Sequence, residues 1–443
     1  MEHILKKSRV CLAGRFNAKQ GLKHEELDPL SNWKRVKMSV DEYERMKSVY
    51  YSSLLRSMIE IEGEEEQSVY RYEMKLPQQC EKLMILNRKN SQSDYPCTIT
   101  NIQLWFFPFD VVLFSVELDE YPNNLDDLTL MHSKWKKWSV EYNNTIIVDG
   151  KSKDIGFHTQ TLDEYLKPLV ELTKDKNPAK LTFEDTKLRQ YQVVQSNCIQ
   201  DSLLFEIGTF SSIGVVCDTN ICRYSKPADD YYQKIIRENT ISAYSNWKAL
   251  ALNDSFTVLT VDEVYSNSEN NEYDDEGLLL DTGYHYFYLL YMRCLFEEFY
   301  CFDRNNLYHE VKDADIDSKK IESEIAYMEK HYFFDDMSYD FLPPLMYRAM
   351  AKGLDLQKDR EQLTQHVKQA LRDARRERNN SAVNFVQIFA VFSVVWTIRE
   401  MIITAFPCVE DPVSAIIALV VALIIAILLL KKSILLTKLF RKS

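Results

Sequence analysis

The run "VSAIIALVVALIIAILLL", residues 413–430, has Ser414 as its only polar side chain. It meets the ~18–20 residues that a helix needs to cross a hydrocarbon core, so the sequence predicts a membrane span there. The preceding stretch, 382–405, is nearly as apolar but carries Asn384, Gln387, Ser393, Thr397, Arg399 and Glu400. A short connector, "FPCVEDP" at 406–412, is punctuated by Pro407 and Pro412. The expectation is a two-helix transmembrane hairpin, 382–405 and 413–430, followed by a basic tail at 431–443.

Charge orients that hairpin. Arg372, Arg375, Arg376 and Arg378 precede the first span, and Lys431, Lys432, Lys438, Arg441 and Lys442 follow the second. By the positive-inside bias these membrane-interface residues place both termini in the cytoplasm, in a multi-pass protein of the cell's inner membrane. Topology and contact with anionic lipid explain the arginines; a part in gating is a second reading.

Upstream, Pro343-Pro344 closes one unit and a helical pattern begins near Leu345. Leu356, Leu363, Val367, Ala370 and Ala374 form one apolar stripe on an otherwise charged helix. No proline interrupts 345–406, so a stalk helix at 345–381 is expected to run on into the first span, with Gly353 its weak point. Residues 316–334 and the aromatic run at 283–302 read as helices within a helical region, 281–344. The latter's apolar part ends at Arg293, Glu297 and Glu298, too short to span, so it is expected to be buried. Residues 1–280 alternate strand and helix patterns. "NIQLWFFPFDVVLFSVELD" reads as two strands broken near Pro108, and "NTIIVDG" and "DSFTVLTVDE" as further strands. "LDDLTLMHSKWKKWSV" and "TQTLDEYLKPLVELTK" read as helices. The fold class expected is an α/β cytoplasmic domain, a long stalk helix and a two-helix C-terminal transmembrane hairpin.

Several chemistries are excluded. The 10 glycines never stand closer than six apart, so no GxGxxG or GxxxxGK[ST] phosphate cradle is present. The net charge is −12, and because 371–443 holds ten Lys/Arg against five Asp/Glu, residues 1–370 carry −17. That acidity argues against direct nucleic-acid binding. Nine cysteines stand singly with no CxxC pair, which predicts reduced thiols rather than disulfides or zinc. The N-terminus has no apolar h-region, so no cleaved leader is expected. Asp313, Asp315, Asp317 and Glu324 match four positions of a calcium loop, but Ser318 stands where glycine is needed; helix capping is the better account. No catalytic set is visible, and the chain is not expected to be an enzyme.

At ~100° per residue, Asn380, Asn384, Gln387, Val391, Val394 and Ile398 share one face of the first span. In a ring of copies that face would line a pore, polar at one mouth and apolar beyond; alternatively the amides bond helix to helix. Glu410 and Asp411 in the connector would gather cations at an outer mouth, or are simply solvated.

Residues 356–443, and "RRERNNSAVNFVQIFAVFSVV" above all, resemble the stalk-to-membrane junction of the CorA-type metal transporters. The resemblance implies a homopentamer whose first spans surround a pore controlled by cytoplasmic domains. The Gly-Met-Asn signature that closes the family's first span is missing: that region reads "WTIREMIITAFP", and no glycine follows Gly353. Signature-less relatives include CorA-like effectors of type III CRISPR systems, which answer a nucleotide messenger. The function expected is thus a homo-oligomeric channel or effector gated by its cytoplasmic domain, with a nucleotide-derived ligand as its messenger. The alternatives are a divalent cation (Mg2+/Co2+) transporter, or a membrane-anchored receptor or scaffold that conducts nothing. Partners implied are membrane lipid, further copies of the chain and the transported ion.

Overall fold

The structure, a computed structural model, describes residues 5–16, 23–28, 33–64, 68–74, 81–88, 91–122, 124–135, 143–148, 151–156, 188–210, 229–261, 278–310, 318–334, 336–405 and 420. Two compact units divide the chain: Met1–His309 with Lys319–Thr364, and Glu310–Ser318 with Gln365–Ser443.

The first unit is built on one mixed sheet of twelve strands, ordered β10-β11-β12-β9-β1-β6-β5-β4-β7-β8, with β3 pairing β5 and β2 pairing β3 off that path. Its centre comprises β1 (Leu5–Phe16), β5 (Ser91–Phe106), β6 (Val112–Glu120), β9 (Arg189–Ser196) and β12 (Ser255–Val261). Beside them lie β2 (Trp33–Val36), β3 (Tyr70–Met74), β4 (Glu81–Arg88), β7 (Asn143–Val148), β8 (Lys151–Gly156), β10 (Thr240–Ile241) and β11 (Trp247–Ala251). β12 runs parallel to β9; the other pairs are antiparallel. The break expected near Pro108 is the β5–β6 turn, where Phe109 and Asp110 both take φ 63°. The expected helix at 159–174 lies outside the described residues.

Side chains alternate across a pleated strand, so paired residues share a face. One face of the sheet carries Val10, Leu12, Phe114, Val116, Leu118, Ile102, Leu104 and Val194, all buried. Leu128 and Met131 of α3 (Leu125–Trp135) and Leu203, Leu204 and Ile207 of α4 (Asp201–Thr209) complete that core. α3 starts where Asn124 Oδ1 accepts from the Asp127 N–H at 2.8 Å, an N-cap. The unit also holds α1 (Val40–Met46), α2 (Ser52–Met58), whose Leu54, Leu55, Ser57 and Met58 are buried, and α5 (Asp229–Asn239).

The opposite face is covered by α6 (Leu278–Glu310), longer than the aromatic run suggests. Tyr288 and Tyr291 of α6 meet the Tyr191 ring, and Phe296 stacks on Phe107 at 4.5 Å. From Tyr288 to Cys301 every residue of α6 is buried. Its far side meets Tyr332, just beyond α7 (Ser318–His331), together with α8 (Leu342–Gly353) and the first turns of α9 (Leu356–Ala405). The buried helix expected at 283–302 is therefore the central one of this unit.

The single helix expected from Leu345 onward is two. Pro343 and Pro344 occupy the first turn of α8, where a missing N–H costs nothing. The chain then turns just past Gly353, with Asp355 at φ 58°. A Cβ on Gly353 would stand 3.0 Å from the Ala251 carbonyl carbon, so the absence of a side chain eases the close approach of α8 to the backbone at the end of β11.

In the second unit, α9 continues to Ala405 without a break at 382. Among the described residues no helix is long and apolar enough to cross a membrane. That finding corrects the transmembrane hairpin, the membrane and ion-channel character drawn from it, and the multi-pass inner-membrane placement. Polar groups recur along the 382–405 stretch, at Asn384, Gln387, Ser393, Thr397, Arg399 and Glu400, so the helix is not uniformly apolar. Ser393, Thr397 and Thr404 turn their hydroxyls back to the carbonyls four residues earlier. Residues 406–412, 413–430 and 431–443, Val420 apart, lie outside the described residues.

A polar sheet face joined by α6 to the root of α9 as the candidate functional site

Register gathers a polar group on the α6 side of the sheet. Glu117 of β6 pairs with Asn101 of β5 and with Cys11 of β1. Gln103 pairs with both Ser115 and Glu73, and Arg9 with Asp119. Glu73 Oε1 accepts from Asn101 Nδ2 at 3.3 Å and from Gln103 Nε2 at 3.1 Å. Gln103 Oε1 in turn accepts from Trp105 Nε1 at 3.0 Å and from the Tyr288 hydroxyl at 3.4 Å. Tyr288 also donates to Ser115 Oγ at 2.7 Å. A hydrogen-bonded chain thus runs from half-exposed Glu73 to a wholly buried tyrosine of α6.

Asp119 is held by Arg9 Nε at 2.7 Å and by Lys7 Nζ at 3.3 Å. These partners outweigh burial, which alone would raise it, and keep its carboxyl below the usual range. Arg71 approaches Glu73 at 3.8 Å and lies over the Trp105 ring at 5.2 Å.

Glu117 differs from its neighbours. It is 8 % exposed, yet its carboxyl has no side-chain hydrogen bond and no ion pair among the described residues. Burial pushes it up to about 7; the charge of Arg71 opposes the rise and that of Glu73 adds to it. A buried polar group without a partner is costly, so a carboxyl left in this state is a functional candidate.

The second cluster stands further along α6. Glu297, wholly buried, accepts from Arg293 Nε at 3.1 Å, from the Tyr347 hydroxyl of α8 at 3.1 Å, and from Arg360 of α9. Arg293 also donates to the Tyr332 and Phe334 carbonyls and lies over the Phe334 and Tyr347 rings. Burial disfavours the charge on Arg360, but the Glu297 carboxylate more than offsets that and holds its pKa above the ordinary value. Tyr288 and Glu297 are nine residues apart on one helix, about 13 Å along its axis. One rigid element therefore touches both clusters.

Ion pairs of α6 with the sheet, Arg189–Glu298 and Arg15–Asp303, fix it in place. On the other sheet face His132 Nε2 lies 2.7 Å from Glu120 Oε2, both wholly buried, and the His132 carbonyl accepts from Gln190 at 2.7 Å. Both side chains are without solvent exposure, and the pair reads as core structure.

The residues singled out in the sequence fall elsewhere. Asn380, Asn384, Gln387, Val391, Val394 and Ile398 lie on α9, where Gln387 is exposed and the other five side chains are outside the described residues. Arg372 and Arg376 are exposed on the same helix, which also carries Arg375 and Arg378. Glu410, Asp411, Lys431 and Lys432 lie outside the described residues, as do Asp313, Asp315 and Asp317. Glu324 is bound by Arg304 at 2.7 Å, and no His/Cys/Asp/Glu group that would hold a metal occurs among the described residues. Glu117, Glu297 and Arg360 were not anticipated as site residues. The available signals were a glutamate set inward in the strand VLFSVELDE, and an Arg293–Glu297 pair at helical spacing inside an aromatic run.

No protein-family model matches the chain, and neither a curated protein nor a solved structure matches it.

Proposed function

We propose that this chain is a self-associating sensor–effector. Its α/β unit takes a small ligand at the Glu117 face, and α6 passes the change to the root of α9. One observation carries the reading: α6 contacts both the polar sheet face, through Tyr288, and α9, through Glu297. A nucleotide-derived messenger belongs to the ligands considered, because base edges offer N–H donors to a carboxyl such as Glu117. Conduction of an ion rested on the transmembrane hairpin and is not proposed.

Self-association is assigned to α9. Val383, Phe385, Val386, Phe389 and Trp396 are each more than half exposed there. Large apolar side chains in such a row mark an interaction surface, and the partner proposed is a second copy of the chain.

Amide hydrogen exchange of the full chain tests the coupling. Glu117→Gln is expected to change exchange in 356–364 by about fivefold, the equivalent of about 1 kcal/mol. A change confined to β3, β5 and β6 would count against it.

A further inference from the structure

Charges at the polar face balance in number but not in contact. Lys7 and Arg9 are both spent on Asp119, and Arg71 and two amides on Glu73. Glu117 receives none of these donors, although it lies between the two served carboxylates on the same sheet face. The groups around it are Lys7, Arg9 and Cys11 on β1, Arg71 and Glu73 on β3, Asp119 on β6 and Tyr288 on α6. Those of β5, Asn101, Gln103 and Trp105, carry no charge. The single hydroxyl proton of Tyr288 goes to Ser115 Oγ at 2.7 Å, with Gln103 Oε1 at the outer limit of 3.4 Å. Among the described residues, none of these nitrogen donors makes a hydrogen bond or an ion pair with Glu117; Arg71 approaches Glu73 at 3.8 Å, as an ion pair only.

We propose that Glu117 is the anchor for a nitrogen cation of the ligand, an ammonium or a planar amidinium or guanidinium, which supplies the hydrogen bonds that the protein withholds. The inference rests on the reading of this face as the ligand site. A carboxylate accepts such a group at charge-assisted strength, and the partly exposed Glu73 offers a second acceptor to a forked donor. Trp105, stacked under Arg71 at 5.2 Å, shows that the face already accommodates one guanidinium over an aromatic ring. Because a proton and the cation compete for one carboxyl, binding is linked to pH. With Glu117 titrating at about 7, it is ionised in roughly one molecule in eleven at pH 6 and ten in eleven at pH 8.

Calorimetric titration of the full chain with methylguanidinium chloride tests this, with tetramethylammonium as a cation that has no N–H. The expected result is saturable binding of methylguanidinium about tenfold tighter at pH 8 than at pH 6, absent with tetramethylammonium and lost in Glu117→Gln. Glu73→Gln, which keeps Glu117 intact, is expected to weaken binding without abolishing it. Binding that survives Glu117→Gln, binding equal at the two pH values, or no binding up to 10 mM (about the millimolar affinity of a fragment this small) overturns the proposal. Thermal unfolding of both variants shows whether they are folded. Failure here leaves the α6 coupling standing if Glu117→Gln still alters exchange at 356–364; the converse result would remove the coupling and keep the cation site.

Discussion

Arg360, in the second turn of α9, donates to the carboxylate of Glu297 at the centre of α6, 63 residues earlier in the chain. Glu297 is wholly enclosed and holds Arg293 and Tyr347 as well. The long helix thus starts from a charge inside the α/β unit rather than from its surface, so whatever displaces α6 acts on the first turns of α9.

The two ends of that pair are unequal. Arg360→Met leaves Glu297 with Arg293 and Tyr347, and is expected to cost about 1.5–3 kcal/mol, the range for a hydrogen bond to a charged group. Glu297→Leu strands Arg293 without its carboxylate and is expected to cost about 3–5 kcal/mol. Urea unfolding of both variants reads the order directly; equal losses would mean that the network does not centre on Glu297.

Stability should fall as the pH rises through neutrality. The folded-state pKa of Glu117 lies above its unfolded value, so its contribution is fully present below about 4.5 and is lost as the pH passes about 7. The loss is on the order of 3 kcal/mol. Asp119 acts oppositely, since its lowered value withdraws stability only as the pH falls below the ordinary carboxylate range. Unfolding midpoints from pH 5 to 8 should therefore decline for the natural chain and decline less for Glu117→Gln. Parallel curves would remove Glu117 as the titrating group.

The turn between α8 and α9 depends on a left-handed residue that is not glycine. Asp355 takes φ 58°, and its carbonyl accepts from the Lys358 N–H at 3.1 Å. Asp355→Val is expected to cost about 1–2 kcal/mol because a β-branched side chain crowds that conformation. Asp355→Gly should be neutral or slightly stabilising. Thermal melts of the pair distinguish backbone strain from loss of the exposed ion pair between the Asp355 carboxylate and Lys358 Nζ at 3.5 Å, which both substitutions remove.

Close packing of the sheet sets a further expectation. A Cβ on Gly14 would lie 2.7 Å from the Phe114 ring and 2.8 Å from Leu188 Cδ2. Gly14→Ala should destabilise by about 1–3 kcal/mol, measured by denaturant unfolding, and a neutral result would show that the Phe114 ring moves aside freely.

Much of the first unit was legible from period and punctuation. "NIQLWF" and "VLFSVELD" alternate on either side of Pro108 and form β5 and β6, and the aromatic run around Tyr288 forms a buried helix. The register was not legible, because it depends on which strands meet, and only register places Glu117 beside Asn101 and across from Cys11. Glu297 and Arg360 are 63 residues apart, and nothing local in the sequence marks them as partners. At the C-terminal side, the passage of the stalk helix through 382 without a break was legible, since nothing in 345–405 after Asp355 breaks a helix and α9 runs on to Ala405; the membrane span read into its lower part is what the structure corrects. Gly353 was visible as a weak point, and the chain does turn there.

The central claim is that the Glu117 face and the root of α9 are energetically joined through α6. A double-mutant cycle with Glu117→Gln and Arg360→Met, read by equilibrium unfolding at pH 8, tests it most directly. The two residues share no partner, so independence would make their effects add within about 0.3–0.5 kcal/mol. The account predicts a coupling clearly above about 0.5 kcal/mol; additivity would contradict it.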